Sequence, residues 1–294
     1  MDWQTRLVAV YVMVCDIFKQ HGFSCCLERM SNNKSVTMTD EEVLTIYLFG
    51  ILSHRRTLKQ IHSYAYDHLR EWFPKLFCYE TLVRRVDEMG EMLPVFLEIL
   101  LDVQCDPTIR SRFKLIDSFP IVLAGPKRSN QAKVAPEIAN KGFCSTKNLF
   151  YYGVKLHILG SDQEGSMPIP EFVGLTPGSE HDLNALKTIL PQMVNMEIFG
   201  DKAYGDQETR AGLLTQHTQL ATPVKLKRGQ KSLDSADRFY SAAVSSIRQP
   251  IESLFSWIQE KTGIQCASKV RSYKGLMVHV FGRLAAAMMM LHMV

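Results

Sequence analysis

The chain has 294 residues, 46% of them hydrophobic and 22% charged, enough apolar material to bury one large core or two smaller ones, which excludes disorder over its whole length. Thirty-four Lys and Arg against 30 Asp and Glu leave a formal charge of +4, a mild excess that permits an acidic polymer as partner without demanding one. The seven cysteines, Cys15, Cys25, Cys26, Cys78, Cys105, Cys144 and Cys266, are odd in number and form no Cys-x-x-Cys pair, which argues against a zinc knuckle and for a reduced cytoplasm.

Residues 1–110 read as an all-helical N-terminal domain, because apolar side chains recur at three- and four-residue spacing. The run Leu7 to Cys15 resembles a signal-peptide core, but Asp2 precedes it and no small-residue cleavage site follows; a core helix is expected. Thr39 with Glu42 and Thr57 with Gln60 match the capping box, which marks two helix starts. Arg55, Arg56, Lys59, Arg70, Arg84 and Arg85 punctuate helices near 57–70 and 79–90, on either side of a Trp72-Phe73-Pro74 break. That layout allows a helix-turn-helix with Arg84 and Arg85 as DNA contacts, or an ordinary solvated helical face.

From about residue 111 the pattern changes. Phe113–Leu123, Leu149–Leu159 and Ile169–Pro177 are β-branched and aromatic runs bounded by Gly and Pro, which predicts three successive strands. A helix from His181 to about Leu190, a short strand ending at Asp201, a helix over 207–216, a strand over 218–224 and a helix from Gln249 to about Lys261 follow. Gly125 to Asn148 is polar and reads as a hairpin insertion or a flexible loop. Three strands, then helix, strand, helix, strand, helix, is the order of an RNase H-like α/β core, assigned to residues 111–265. Residues 266–294 are expected to form a C-terminal helix packing on that core; Arg283 and two histidines interrupt the apolar stretch from Leu276, which argues against a membrane span.

The candidate chemistry lies in three acids. Asp117 sits within the apolar strand Lys-Leu-Ile-Asp-Ser-Phe, where an unpaired carboxylate is costly and calls for a cation. Asp201 ends the strand Glu-Ile-Phe-Gly-Asp. Glu252 borders an apolar helical stripe of Ile247, Ile251, Leu254, Phe255 and Ile258, with Arg248 one turn before it on the same face and Pro250 expected in or near the first turn. Each aspartate could instead serve a turn, and Glu252 could serve a helix N-terminus. Together, hard oxygen ligands suit Mg²⁺ or Mn²⁺, and two such ions about 4 Å apart would favour in-line phosphoryl transfer. Lys202, His181 and Lys155 are candidate supporting residues. Lys155 and His157 alternate with apolar residues on one strand face that could border the acids. Lys127, Arg128 and Lys133, and Lys225, Lys227, Arg228 and Lys231, are candidate phosphate contacts or solvated loop charges.

The segments Ile116-Asp-Ser-Phe-Pro, Lys141-Gly-Phe-Cys, Phe150-Tyr-Tyr-Gly-Val-Lys-Leu-His, Thr176-Pro-Gly-Ser-Glu-His-Asp, Gly200-Asp-Lys-Ala-Tyr and Arg248-Gln-Pro-Ile-Glu-Ser-Leu-Phe-Ser jointly resemble the DDE transposases of bacterial insertion sequences, within them the IS982 group. The resemblance implies that Asp117, Asp201 and Glu252 chelate the catalytic metals, in an enzyme that nicks double-stranded DNA at transposon ends and joins the 3′-hydroxyl to target DNA. It further implies two Mg²⁺ or Mn²⁺ ions, a homodimer in synapsis and a cytoplasmic, nucleoid-associated protein with no membrane partner. An RNase H-like nuclease without strand transfer and a catalytically inactive DNA-binding protein remain alternatives. A haloacid-dehalogenase-type phosphatase is excluded, because it needs a second aspartate where Phe119 stands.

Overall fold

The helical periodicity of the N-terminal third is realised, among the described residues, as the helices α1 (Trp3–His21), α2 (Asp40–Leu52), α3 (Leu58–His68), α4 (Tyr79–Glu88) and α5 (Leu93–Gln104). The structure is a computed structural model that describes residues 2–23, 37–104, 111–145, 148–189, 192–226 and 229–292. Thr39 and Thr57 each accept from the backbone N–H three residues on, while Glu42 and Gln60 reach back to the cap residue's own N–H, so both capping boxes are closed. Eleven of the 13 residues of α2 are buried, which makes it the central helix around which α1, α3 and α4 pack. One of the eleven is Asp40, whose carboxylate accepts from Arg85 Nη2 at 2.5 Å. Arg85 also donates to the Met38 carbonyl and lies over the Phe77 ring. Arg85 is therefore not the DNA contact expected of it: it is buried and neutralises an acid at the start of α2. Its neighbour Arg84 remains on the surface, pairing with Glu88 at 3.5 Å.

The second unit, Cys105–Trp257, is built on a sheet whose strands, among the described residues, are β1 (Phe113–Ala124), β2 (Asn140–Cys144), β3 (Leu149–Ser161), β4 (Ile169–Pro177), β5 (Glu197–Phe199) and β6 (Gln219–Ala221). β1, β3 and β4 form an antiparallel meander, and β5 and β6 add to the other side of β1 in parallel. The spatial order β4-β3-β1-β5-β6 is that of an RNase H-like core, so the fold expected from element order is the fold found. β2, formed by part of the polar segment after Gly125, pairs with Leu149–Gly153 of β3, on the same side of β3 as β4. Helices α6 (Asp182–Ile189) and α7 (Gln207–Leu214) close one sheet face over Ile116, Leu159, Ile198, Tyr204 and Leu220.

Helix α8 (Ser235–Thr262) starts fourteen residues before the expected Gln249. Pro250 lies within it rather than in its first turn, and the helix continues although the proline leaves the Ser246 carbonyl without its usual donor. The buried stripe Val244, Arg248, Ile251, Phe255 holds the helix through this break, while Ile247, expected on the stripe, is exposed.

The C-terminal segment comprises α9 (Tyr273–Met277), a π turn over Val278–Gly282 and α10 (Arg283–His292). Helix α10 packs on α2 and α5, and residues from Ile258 onward belong to the same unit as residues 1–104. Two expectations differ from this: the α/β unit ends at Trp257, where residue 265 was expected, and the last helix packs within the N-terminal helical unit, where packing on the α/β core was expected. The physical cause is the apolar flank of α2, which needs a partner on every side. At the π turn, a Cβ on Gly282 would come within 2.5 Å of the Tyr47 ring, whose hydroxyl donates to the Val278 carbonyl at 2.9 Å. The stretch Tyr273–Leu291 is long and apolar enough to cross a membrane by length and composition, yet 78% of it is buried inside the protein. Arg283 within it donates to the Thr262 and Arg56 carbonyls.

Removing Arg85 takes from the buried Asp40 the charged donor that holds it at 2.5 Å. We expect Arg85→Met to lower the urea unfolding free energy by about 3 kcal/mol, and Arg84→Ala to change it by less than about 0.5 kcal/mol. Equal effects would contradict the division of labour between the two arginines.

Candidate active site

Strand β1 is central, so its side chains alternate between two covered faces. Asp117 shares its face with Phe119, and Phe119 meets Phe255 of α8 with ring centroids 4.5 Å apart. Phe255 is seven residues beyond Arg248, two helical turns, so this aromatic contact lays the Arg248 face of α8 against Asp117. Arg248 Nη2 donates to Asp117 Oδ2 at 2.8 Å and to Glu252 Oε1 at 3.3 Å. Asp117 Oδ1 accepts from the Ser118 N–H at 2.8 Å.

Asp201 is brought in by strand register. β1 and β5 pair in parallel with Phe113 beside Glu197, Lys114 beside Ile198 and Leu115 beside Phe199. The offset is 197 − 113 = 84, and 201 − 117 is also 84, so the same register carried two residues further sets Asp201 alongside Asp117. Asp201 then caps a short 3₁₀ turn, Lys202–Tyr204, accepting from the Ala203 N–H at 2.6 Å. Gly200 is needed just before it, since a Cβ there would come within 3.0 Å of the Tyr204 ring and 3.1 Å of Ile116. Tyr204 is fully buried in the core beneath this turn. It is a site-building residue that sequence reasoning did not single out, although it ends the Gly-Asp-Lys-Ala-Tyr segment.

Burial pushes Asp117 up from 3.8 to about 6; Arg248 and the Ser118 N–H pull it down, and the negative charge of Asp201 adds to the rise. Desolvation outweighs the arginine. Among the described residues no group of three His, Cys, Asp or Glu side chains stands close enough together to hold a metal ion as it is; Arg248 ties together two of the three acids instead. As a donor set the trio fits a hard divalent ion: all its donors are carboxylate oxygens, and its most buried member carries a charge that the arginine only partly offsets.

The other expected site residues are placed as follows. Lys155 and His157 sit opposite Pro120 and Ser118 of β1, on the sheet face away from Asp117, so that face does not carry the acids. Lys155 donates to Asp182 at 3.0 Å and to the Glu180 carbonyl at 2.7 Å. His157, paired with Thr176 at 2.8 Å, is buried and held neutral, its pKa pushed down by desolvation. Lys155 is thus a strut for the β4–α6 loop rather than a neighbour of the acids. His181 is exposed and accepts from the Leu183 N–H at 3.3 Å as a helix-start residue. Lys202 is exposed beside Asp201. Lys127 and Arg128 are exposed on the 3₁₀ turn Pro126–Arg128, and Lys225 donates to the Gly205 carbonyl at 3.0 Å, bracing the loop after Asp201. Lys227 and Arg228 lie outside the described residues.

A family model for the transposase DDE domain matches residues 109–271, which contain all three acids. Among solved structures, a pre-cleavage Mos1 transpososome is similar over 90% of this chain and 81% of that one, at 13% identity and a TM-score of 0.22, too slight a likeness to bear on the site. No curated protein matches the chain.

The raised Asp117 carries a stability signature. The folded state holds this proton more tightly than the unfolded chain, so the stabilisation is full below about pH 4 and is lost as pH rises through about 6. The difference is at most roughly 3 kcal/mol. Urea unfolding from pH 4 to 7 should show Asp117→Asn gaining on the native protein across that window; parallel curves would refute the raised value.

Proposed function

Since the chain belongs to the DDE transposase domain family, we propose that it is a transposase of the IS982 group that cuts DNA at the ends of its element and joins the freed 3′-hydroxyl to target DNA. What supports this reading is the parallel β1–β5 register, which leads Asp201, two residues past the end of β5, toward Asp117, whose carboxyl feels the Asp201 charge, with Glu252 linked to Asp117 through Arg248. Asp117, Asp201 and Glu252 would hold Mg²⁺ or Mn²⁺, two ions in the full complex. When bound, such ions lower the pKa of an attacking water or hydroxyl and neutralise the charge that develops on the phosphodiester.

The chain's own residues prepare that reaction. Asp117 must be ionised to act as a ligand, and Arg248 and the Ser118 N–H favour its ionised form. The 3₁₀ turn after Asp201 fixes that carboxylate through the Ala203 N–H. Phe119 and Phe255 exclude water on the buried side of the acids. The exposed Lys202, Lys127, Arg128, Lys225 and Arg84 offer positive charge for the DNA backbone, as do Lys227 and Arg228 by their chemistry. Holding two element ends in one complex requires two copies of the chain, so a homodimer on the bacterial nucleoid, in the cytoplasm, completes the proposal.

The test is Mg²⁺- or Mn²⁺-dependent nicking and strand transfer on DNA bearing the element's ends, native protein against Asp201→Asn. We expect both activities in the native protein and a loss of roughly a thousandfold or more in the variant, with DNA binding retained in a gel shift. Nicking without joining would leave a nuclease; binding without nicking would leave a DNA-binding protein.

A further inference from the structure

Arg248 makes two contacts that differ in kind. Glu252 is 61% exposed, and an Arg-to-Glu pair spaced i,i+4 in this order is the weaker orientation on a helix, so the pair is screened and contributes little. Asp117 and Arg248 have side chains only 18% and 10% exposed, so separating them strands two shielded charges. The Arg248 Nε is buried with no hydrogen-bond partner, which makes the guanidinium dependent on these two carboxylates. The oxygens in question are also those a cation needs. Asp117 Oδ1 is engaged by the Ser118 N–H and Asp201 Oδ1 by the Ala203 N–H, while Asp117 Oδ2 is the atom that Arg248 holds.

We propose that Arg248 is a resident occupant of the acid cluster: a positioning residue that satisfies Asp117 and Glu252 when no metal is bound and that must be displaced before a divalent cation can be held by all three acids. The inference rests on the reading of Asp117, Asp201 and Glu252 as metal ligands. One guanidinium with two carboxylates is a closed arrangement, and a cation with three carboxylates is another; the side chain cannot belong to both. The cost of leaving the first lowers the affinity for metal in the protein alone. The displaced arginine then seeks another anion, and a phosphodiester has the right charge and geometry, so metal and DNA would assist each other's binding by linkage.

The experiment is a Mn²⁺ titration of the full chain without DNA, followed by the electron paramagnetic resonance of the free ion, at roughly pH 8 so that Asp117 is ionised. Native protein, Arg248→Gln and Asp117→Asn are compared. Arg248→Gln should bind Mn²⁺ about tenfold more tightly than native, a change of about 1.4 kcal/mol, and Asp117→Asn should lose the site. Unchanged or weaker binding by Arg248→Gln, with binding lost in Asp117→Asn, overturns the occupant role and leaves the metal site standing. Native affinity in Asp117→Asn overturns the metal site itself. A readout on the native protein guards against a misfolded variant: Mn²⁺ should increase phenylglyoxal modification at Arg248, mapped by peptide mass. Modification unaffected by Mn²⁺ contradicts the displacement.

Discussion

A carboxylate on the central strand of a covered sheet has to be compensated, and the region around Asp117 is arranged by that requirement. Arg248 supplies the compensation from one nitrogen, 2.8 Å away, and in doing so fixes which face of α8 looks at β1. The aromatic contact of Phe119 with Phe255 enforces the same register by packing, so polar and apolar constraints agree on where Glu252 arrives. Desolvation still wins over the arginine, since Asp117 remains raised to about 6. The site is therefore short of positive charge, which is the condition under which a divalent cation is welcomed.

Asp201 reaches the same place by a different route. The parallel pairing of β1 with β5 ends two residues before it, and the 3₁₀ turn that it caps, shaped by Gly200 and the buried Tyr204, holds its carboxylate through the Ala203 N–H. Two of the acids are thus fixed by backbone geometry and the third by a helix face. A helix can rotate or shift by fractions of an ångström more readily than a strand locked in a ladder, so under the proposed cation binding the adjustment would fall to Glu252 and Arg248. Glu252, more than half exposed, has the freedom for it.

Much of this was legible in the sequence, for identifiable reasons. The β-branched runs bounded by Gly and Pro placed β1, β3 and β4, and the capping boxes placed the starts of α2 and α3, because these are local signals. The three acids and Arg248 stood out as candidates because a charged residue in an apolar strand or beside an apolar helical stripe is conspicuous, and the resemblance to DDE transposases grouped the acids. What escaped depended on long-range packing. The first fourteen residues of α8 carry an exposed, mixed pattern with Phe239 and Tyr240 on the surface, and Pro250 suggested a helix start. The β2 strand hid in a polar segment because its partner is an edge of β3. Arg85 looked like a surface cation until Asp40, 45 residues away, was found to bury it. Lys155 shares a face with His157 as expected, but which sheet face that was could be settled only by the pairing of β3 with β1.

The central claim is that Asp117, Asp201 and Glu252 hold a divalent cation, and iron-directed hydroxyl-radical cleavage tests it most directly. Fe²⁺ substituted for Mg²⁺, with ascorbate and peroxide, cuts the polypeptide close to wherever the metal is bound. The account predicts cuts clustered at the three segments around residues 117, 201 and 252, suppressed by excess Mg²⁺. Cuts confined to other segments, or a cleavage pattern indifferent to Mg²⁺, would contradict it.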